Sequence, residues 1–499
     1  MTEISPHEHE DEQGSERRGW GRGDGLALAA VTMLAGILRF VRLSDPARLV
    51  FDETYYARDG CWYFKASESI CGVGSEQTLV HPPLGKWLIG SGVQLFGNDS
   101  FGWRIASVTA GVLCVALLFV LARKLLKSTV AAALASGLLA LDPLHLVQSR
   151  LAMLDIFVAL FTLLAFTLIV FDRDRTRRKG ARSVRPWRLA AGISAGLAVS
   201  AKWSGLLAVA GILALSIVWA VTDRRREGNV RPFRRAIVEE WPTVIGWLVI
   251  VPVLTYLITF AGRLEGSVFQ APWADGSWWR AWWDRQYYMF STSRGLSSNH
   301  PYQSPPWSWP LLKRAVSYYF ETPNDEYSEI LATGNPFVWW TSMLSLVAVG
   351  YAWIRKRKRG RAEGFILAAV AWTYLPWVVL AGDRPAVFLF YFLPVLPFLF
   401  LAPAYLVARI GATWEARAAI GLYAAAAIGI FAFLYPVLTK VHLAEPSWRA
   451  RIWLFDDCDK AAGPTTTTTV TEGVSEETKV RKSVFRPSDA LPPDGWCWI

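Results

Sequence analysis

Long apolar runs recur from residue 26 to residue 436, separated by short charged segments, and they constrain this chain more than any other feature. A bilayer-crossing helix needs about 20 mostly apolar residues, because each residue rises ~1.5 Å through a hydrocarbon layer ~30 Å thick. Such runs read at residues 26–43, 102–122, 129–147, 150–171, 189–200, 203–221, 242–261, 337–354, 365–381, 388–408 and 418–436, which makes about eleven crossings. A hydrophobic content of 53% with 26 Trp excludes an ordinary soluble domain. Tryptophan in that number fits side chains parked at the two membrane–water boundaries. The expected fold class is an all-α, multi-pass membrane protein occupying residues 26–436. No cleavable leader precedes the first run, which reads as an uncleaved anchor.

Charge sets the orientation. The net charge of +11 is not a nucleic-acid signal, because Lys and Arg concentrate in short loops between apolar runs. Arg123-Lys124 and the segments 173–188, 224–235 and 355–361 all fall on one side of an eleven-crossing count. The positive-inside rule makes that side the cytoplasm, with the polar, disordered tail 1–25. The segments 44–101, 263–336 and 437–499 then face outward from the plasma membrane. Parity hangs on Ser200-Ala201-Lys202-Trp203, since one long helix there would invert everything downstream.

The most chemically dense outward stretch is FDETYYARDGCWYFKASESICGVGSEQTLVHPPLGK, residues 51–86. It opens on adjacent carboxylates, Asp52 and Glu53, and closes on a His-Pro-Pro turn with His81 and Lys86. It is a candidate catalytic loop, the alternative being a solvated linker. Cys61, Cys71, Cys458 and Cys497 all fall outside, as disulfides require, whereas Cys114 lies in a span. Local pairing, Cys61 with Cys71 and Cys458 with Cys497, needs the least rearrangement; buried free thiols are the alternative. Trp278, Trp279, Trp282 and Trp283 share one expected helical face, suited to lipid headgroups. Downstream, His300-Pro301-Tyr302-Gln303-Ser304 and the Pro-Trp run to Pro310 make a stiff aromatic surface, either a groove for peptide or sugar or a membrane-anchored cover. Arg104, Arg150, Asp155, Lys202, Asp383 and Arg384 map to the outer ends of spans, the depth of a lipid phosphate. Ionisable groups there are costly unless paired or facing water. Snorkelling is the alternative for Lys202 and Arg384.

Phe51-Asp52-Glu53, HPPLGK at 81–86, GWR at 102–104, RLAMLD at 150–155, KWSG at 202–205, HPYQSPPWSWP at 300–310 and GNP at 334–336 stand in an order that resembles protein O-mannosyltransferases (glycosyltransferase family 39). The resemblance implies a GT-C membrane fold and transfer of mannose from a polyprenyl-phosphate-mannose donor to Ser/Thr hydroxyls of exported proteins. Eukaryotic members insert a large β-trefoil domain in the second outward loop. About 75 residues cannot hold one, so the chain resembles the bacterial, actinobacterial-type members. Transfer to a hydroxyl needs a base, for which Asp52 is the candidate, with Glu53 orienting the acceptor or a neighbouring Arg. The leaving lipid phosphate is already a stable anion, so no general acid is required, unlike glycoside hydrolysis. Arg104, Arg150, Asp155, Lys202 and Arg384 are expected around the donor phosphate and sugar. His81, Lys86, His300 and Tyr302 are expected at the acceptor or in shaping the loop. A related enzyme moving another lipid-linked sugar, and a polyprenyl-lipid transporter, are the alternatives; a transporter should show paired repeats with broken helices, which are not evident. No cofactor beyond the lipid donor is implied, two histidines at 7 and 9 are weak metal evidence, and divalent-metal dependence stays open. Coupling to the secretion translocon is a further expectation. The Thr tract after Gly463-Pro464 is either a tether or itself an acceptor.

Overall fold

The computed structural model describes residues 19–180, 184–261, 277–295, 302–355, 361–381, 387–411 and 413–452. The first membrane helix, α1 (Arg22–Phe40), is followed by the amphipathic α2 (Glu53–Lys65) and by α3 (Leu84–Phe96). Then α4 (Ser100–Leu126) starts where Asp99 accepts from the amides of Phe101 and Gly102, and ends at Lys127 in the left-handed region. These are the caps a helix needs to satisfy its orphan amides and turn its chain.

A bent pair, α5 (Thr129–Ala140) and α6 (Pro143–Arg150), breaks by 59° where Asp142 caps the second helix and Pro143 opens it. Next come α7 (Asp155–Lys179), α8 (Pro186–Ala201), α9 (Leu206–Arg226) and α10 (Pro232–Ile245), the last continuing through a wide turn to Ile258. That wide turn, Gly246–Ile250, precedes Pro252; proline removes an amide donor from the ladder, and a π-turn absorbs the loss. The bundle is completed by α11 (Trp278–Gly295), α12 (Pro336–Arg355), α13 (Arg361–Leu380), the irregular span Leu389–Val407, α14 (Trp414–Leu438) and the short α15 (Glu445–Ile452).

Among the described residues nine helices are long and apolar enough to cross a membrane, or ten if the bent pair is one span. The expected count of eleven is therefore not reached by length and composition. The missing element is α8, only 16 residues long. Ion pairs nevertheless pin it along α7 at both ends, Lys202 to Asp155 at 3.0 Å and Arg185 to Asp172 at 2.5 Å. The break that follows is real: Lys202 is extended (φ −162°, ψ 144°) and Trp203–Gly205 forms one tight turn. A side chain at Gly205 would collide with the Ala198 backbone, so glycine permits the reversal. From there α9 returns to the basic end, where Arg224 and Arg185 share Glu240. Two helices thus occupy the stretch on which parity hung.

A three-stranded antiparallel sheet joins the helices, which the all-α reading did not include. It pairs β1 (Val316–Glu321) with β2 (Glu326–Ala332), and β2 with the two-residue β3 (Leu443–Ala444). Residues 316–320 and 328–332 are buried on both faces, so no alternation marks these strands inside what reads as an aromatic loop. Trp448 of α15 packs on Tyr327 and donates to Glu329 at 2.8 Å, fixing the C-terminal helix to the sheet. Burial lifts the Glu329 carboxyl to about 8.

The four tryptophans of α11 do not share one face. Trp278 and Trp282 stack toward the protein at 6.5 Å, whereas Trp279 and Trp283 are 61% and 66% exposed. Neighbours on a helix are rotated by ~100°, so the quartet makes two adjacent stripes and only the outer one can meet lipid.

Candidate active site

The turn from Val50 to Glu53 places two consecutive carboxylates in opposite environments. Phe51 is left-handed (φ 48°), a conformation that costs a bulky residue ~1–3 kcal/mol. Its ring stacks on Tyr318 at 4.4 Å and meets Phe390 edge-on at 6.2 Å, which holds the turn. Tyr318 in turn accepts from Gln148 at 2.6 Å. The turn sends Asp52 toward α7 and α8 and Glu53 into the protein.

Asp52 stays partly exposed and receives one side-chain hydrogen bond, from the Tyr56 hydroxyl at 3.2 Å. Loss of water around it pushes its carboxyl up to about 6, opposed by the Lys202 charge and the Tyr56 hydroxyl and reinforced by Asp155. Lys202 bridges both oxygens of Asp155 at 3.0 Å and lies 4.4 Å from the Tyr391 ring centre. One ammonium therefore faces two carboxylates. Below Asp155 a narrow gap of ≈ 10 Å³, about the room of one water, continues between Thr162, Ser204, Thr373, Trp377 and Tyr391. Trp309, Trp377 and Tyr391 form an aromatic wall beside it, with neighbouring ring centres 5.8 and 5.0 Å apart.

Glu53 is fully enclosed. Arg104 grips it with two bonds of 2.9 Å, and the amides of Ala152 and Val50 donate at 2.7 and 3.2 Å. The other Arg104 donors go to the carbonyls of Leu43, Pro46 and Arg48. Arg104 is thus spent as a clamp, not offered to a phosphate as the sequence reading expected. Of the two roles considered for Glu53, the geometry matches orientation of an arginine. Arg150 likewise departs from the phosphate expectation: its guanidinium caps the end of α1, on the carbonyls of Leu38, Arg39, Val41 and Arg42. Sequence depth alone could not separate a carbonyl cap from an anion ligand.

Lys86 is buried between Asp59 at 3.0 Å and Glu76 at 2.5 Å, and Glu76 also holds Arg285 of α11 at 2.8 Å. The two cations hold the Glu76 carboxyl below its ordinary range despite burial. This cluster shapes the loop and ties it to α11. His81 sits over Tyr56 with ring centres 5.9 Å apart, and its carbonyl faces Arg285. Tyr302 is buried under the sheet rather than lining the cleft, and burial drives its hydroxyl upward. Cys61 and Cys71 form the expected disulfide, and Cys114 is a buried free thiol. Arg384, Asp383, His300, Cys458, Cys497 and the Thr tract lie outside the described residues. Among the described residues no group of three or more His, Cys, Asp or Glu is arranged to hold a metal. Tyr56, Gln148, Tyr318 and Tyr391 were missed by sequence reasoning. Only the spacing of Tyr56, one helical turn after Asp52, could have pointed to any of them.

Comparison with known proteins bears on this geometry. Residues 29–264 match the family described as dolichyl-phosphate-mannose-protein mannosyltransferase, and residues 278–456 match the C-terminal four-span region of protein O-mannosyltransferase. A Mycolicibacterium smegmatis polyprenol-phosphate-mannose–protein mannosyltransferase is 29% identical, with 87% of this chain and 93% of that protein covered. The Mycobacterium tuberculosis protein of the same name is also 29% identical, over 88% and 91%. In fold, the chain is similar to the Saccharomyces cerevisiae Pmt1-Pmt2 complex bound to the sugar donor, with TM-score 0.71, 15% identity and 89% and 94% coverage. It is less similar to Cupriavidus metallidurans ArnT bound to undecaprenyl phosphate, with TM-score 0.52, 17% identity and 85% and 72% coverage. With both family segments matched across most of its length, the chain belongs to the protein O-mannosyltransferase family, on a GT-C fold.

Proposed function

We propose that Asp52 is the base of a mannosyl transfer from polyprenyl-phosphate mannose to Ser/Thr hydroxyls of exported proteins. The observation that carries the assignment is the pocket shared by Asp52, Asp155 and Lys202, in which Asp52 alone is under-satisfied and reachable. The acceptor oxygen attacks the anomeric carbon, its proton passes to the Asp52 carboxylate, and the bond from that carbon to the lipid phosphate breaks. The phosphate leaves as an anion, so one base is enough. A single displacement inverts a β-linked donor to an α-mannoside.

Lys202 has three donors. Asp155 takes up two contacts and keeps the ammonium oriented, which leaves a donor for a phosphate oxygen. A fixed cation there stabilises charge as it develops. Arg384 is proposed as a second phosphate partner, and His300 as an acceptor-side residue. Tyr391 and Trp377 line the gap below Asp155. Glu53, Arg104, Arg150 and Lys86 hold the scaffold. The basic loops support an outward-facing pocket at the plasma membrane, where exported chains arrive extended, and coupling to the translocon is part of the same proposal. The mannosyltransferase names of the relatives favour this reading over a transporter.

The test is membranes supplied with labelled polyprenyl-phosphate mannose and a Thr-rich peptide, scored for mannose on the peptide. Transfer by the native chain and none by Asp52→Asn supports the assignment. Equal labelling by both would remove Asp52 from the base role.

A further inference from the structure

A cavity larger than the gap beside Asp52 lies elsewhere in the bundle. It sits at the other end of α7, between α7, α8, α9 and α10, with a volume of ≈ 530 Å³ open to the bundle's end. Asp155 and Asp172 are seventeen residues apart on α7, so the two sites are separated by about 25 Å of helix.

Its walls are built of ion pairs. Asp172 is held by Arg185 and Arg188, Asp223 by Arg173 and Arg177, and Glu240 by Arg185, Arg188 and Arg224. Glu239 is shared by Arg224 and Arg235. Among the residues that line the cavity, six guanidiniums (Arg173, Arg177, Arg185, Arg188, Arg224 and Arg226) therefore meet five carboxylates, Asp172, Asp223, Glu227, Glu239 and Glu240. An ionic staple alone would need no surplus of cations and no space. Arg177 uses Nε and Nη2 on Asp223, so its Nη1 edge is turned away from that carboxylate. The floor is apolar: Ile169, Ala220 and Trp219, with the Arg173 guanidinium 4.4 Å above the Trp219 ring.

We propose that this cavity is a second site, which takes a phosphate-bearing anion. The chemistry is shared by an acidic phospholipid headgroup and by free phosphate; the apolar floor suits the chains of a lipid. Guanidiniums in surplus match phosphate oxygens in forked pairs, and basic pockets between membrane helices hold anionic headgroups by that means.

The test uses the full chain in detergent micelles, titrated separately with phosphatidylglycerol, phosphatidylcholine and inorganic phosphate, with melting temperature and retained lipid as readouts. Phosphatidylglycerol is expected to bind and phosphatidylcholine not. Arg177→Gln, which leaves Asp223 its Arg173 partner, should weaken phosphatidylglycerol binding roughly tenfold, the size of one charge-assisted hydrogen bond. Asp223→Asn, which enlarges the cation surplus, should bind at least as tightly as native. Competition by inorganic phosphate supports the anion site and assigns it to free phosphate; no competition assigns it to the headgroup. Equal binding of phosphatidylcholine, native affinity in Arg177→Gln, or equal weakening in both variants would overturn the proposal.

Discussion

Asp52 and Glu53 are neighbours in sequence and opposites in setting. Glu53 accepts four hydrogen bonds, two from Arg104 and one each from the amides of Ala152 and Val50, and has no exposure, whereas Asp52 accepts one side-chain hydrogen bond and keeps an open side. A carboxylate whose lone pairs are all engaged cannot take a proton from a substrate without dismantling its surroundings. One left wanting can. The difference locates the chemistry more sharply than the presence of two acids does, and it separates loss of catalysis from loss of structure.

The largest effect should come from Asp52→Asn. It is expected to lower kcat about 10²–10⁴-fold, the usual contribution of a general base, while insertion and melting temperature stay native. Glu53→Gln should behave in the converse way. Breaking one partner of a buried bidentate pair costs about 3–5 kcal/mol, so the variant should melt earlier and purify poorly, and any folded fraction should retain turnover. A folded, fully stable and inactive Glu53→Gln would move the base to Glu53 and break the comparison.

Lys202→Met tests the shared cation. The expected result is weaker use of the lipid donor, raised KM for it, and little change in KM for the peptide. Kinetics with each substrate varied in turn would show this; an effect confined to the peptide would place the phosphate elsewhere. Tyr56→Phe should have the smallest effect. Its hydroxyl favours the charged form of Asp52, so its loss should move the acid limb of activity upward by roughly half to one pH unit. A downward move would mean that the hydroxyl serves the protonated form.

Much of this was legible in the residues. Apolar run lengths gave the membrane class, and the basic loops on either side of Lys202 favoured two helices there; the break itself is made by the extended Lys202 before a Gly-containing turn. Asp155 and Lys202 were both placed at one depth, although which partner each chose was not readable. Arg104 and Arg150 looked the same from sequence as Lys202, since a hydropathy pattern fixes depth and not direction. Arg104 finds Glu53 and the carbonyls of an irregular turn, and Arg150 the carbonyls of a helix end, partners which only the folded chain assembles. The sheet was hidden by the tyrosines that make it, because an aromatic-rich stretch reads equally as an interfacial cover.

The most direct test of Asp52 as the base is the pH dependence of kcat/KM for mannosyl transfer, which reports the ionisation of the free enzyme. Burial raises the Asp52 carboxyl to about 6, and the base must be ionised to act. Activity should therefore rise tenfold per pH unit below that point and level off above it. A profile that is flat from pH 5 to 8, or one that falls as pH rises through 6, would contradict the account.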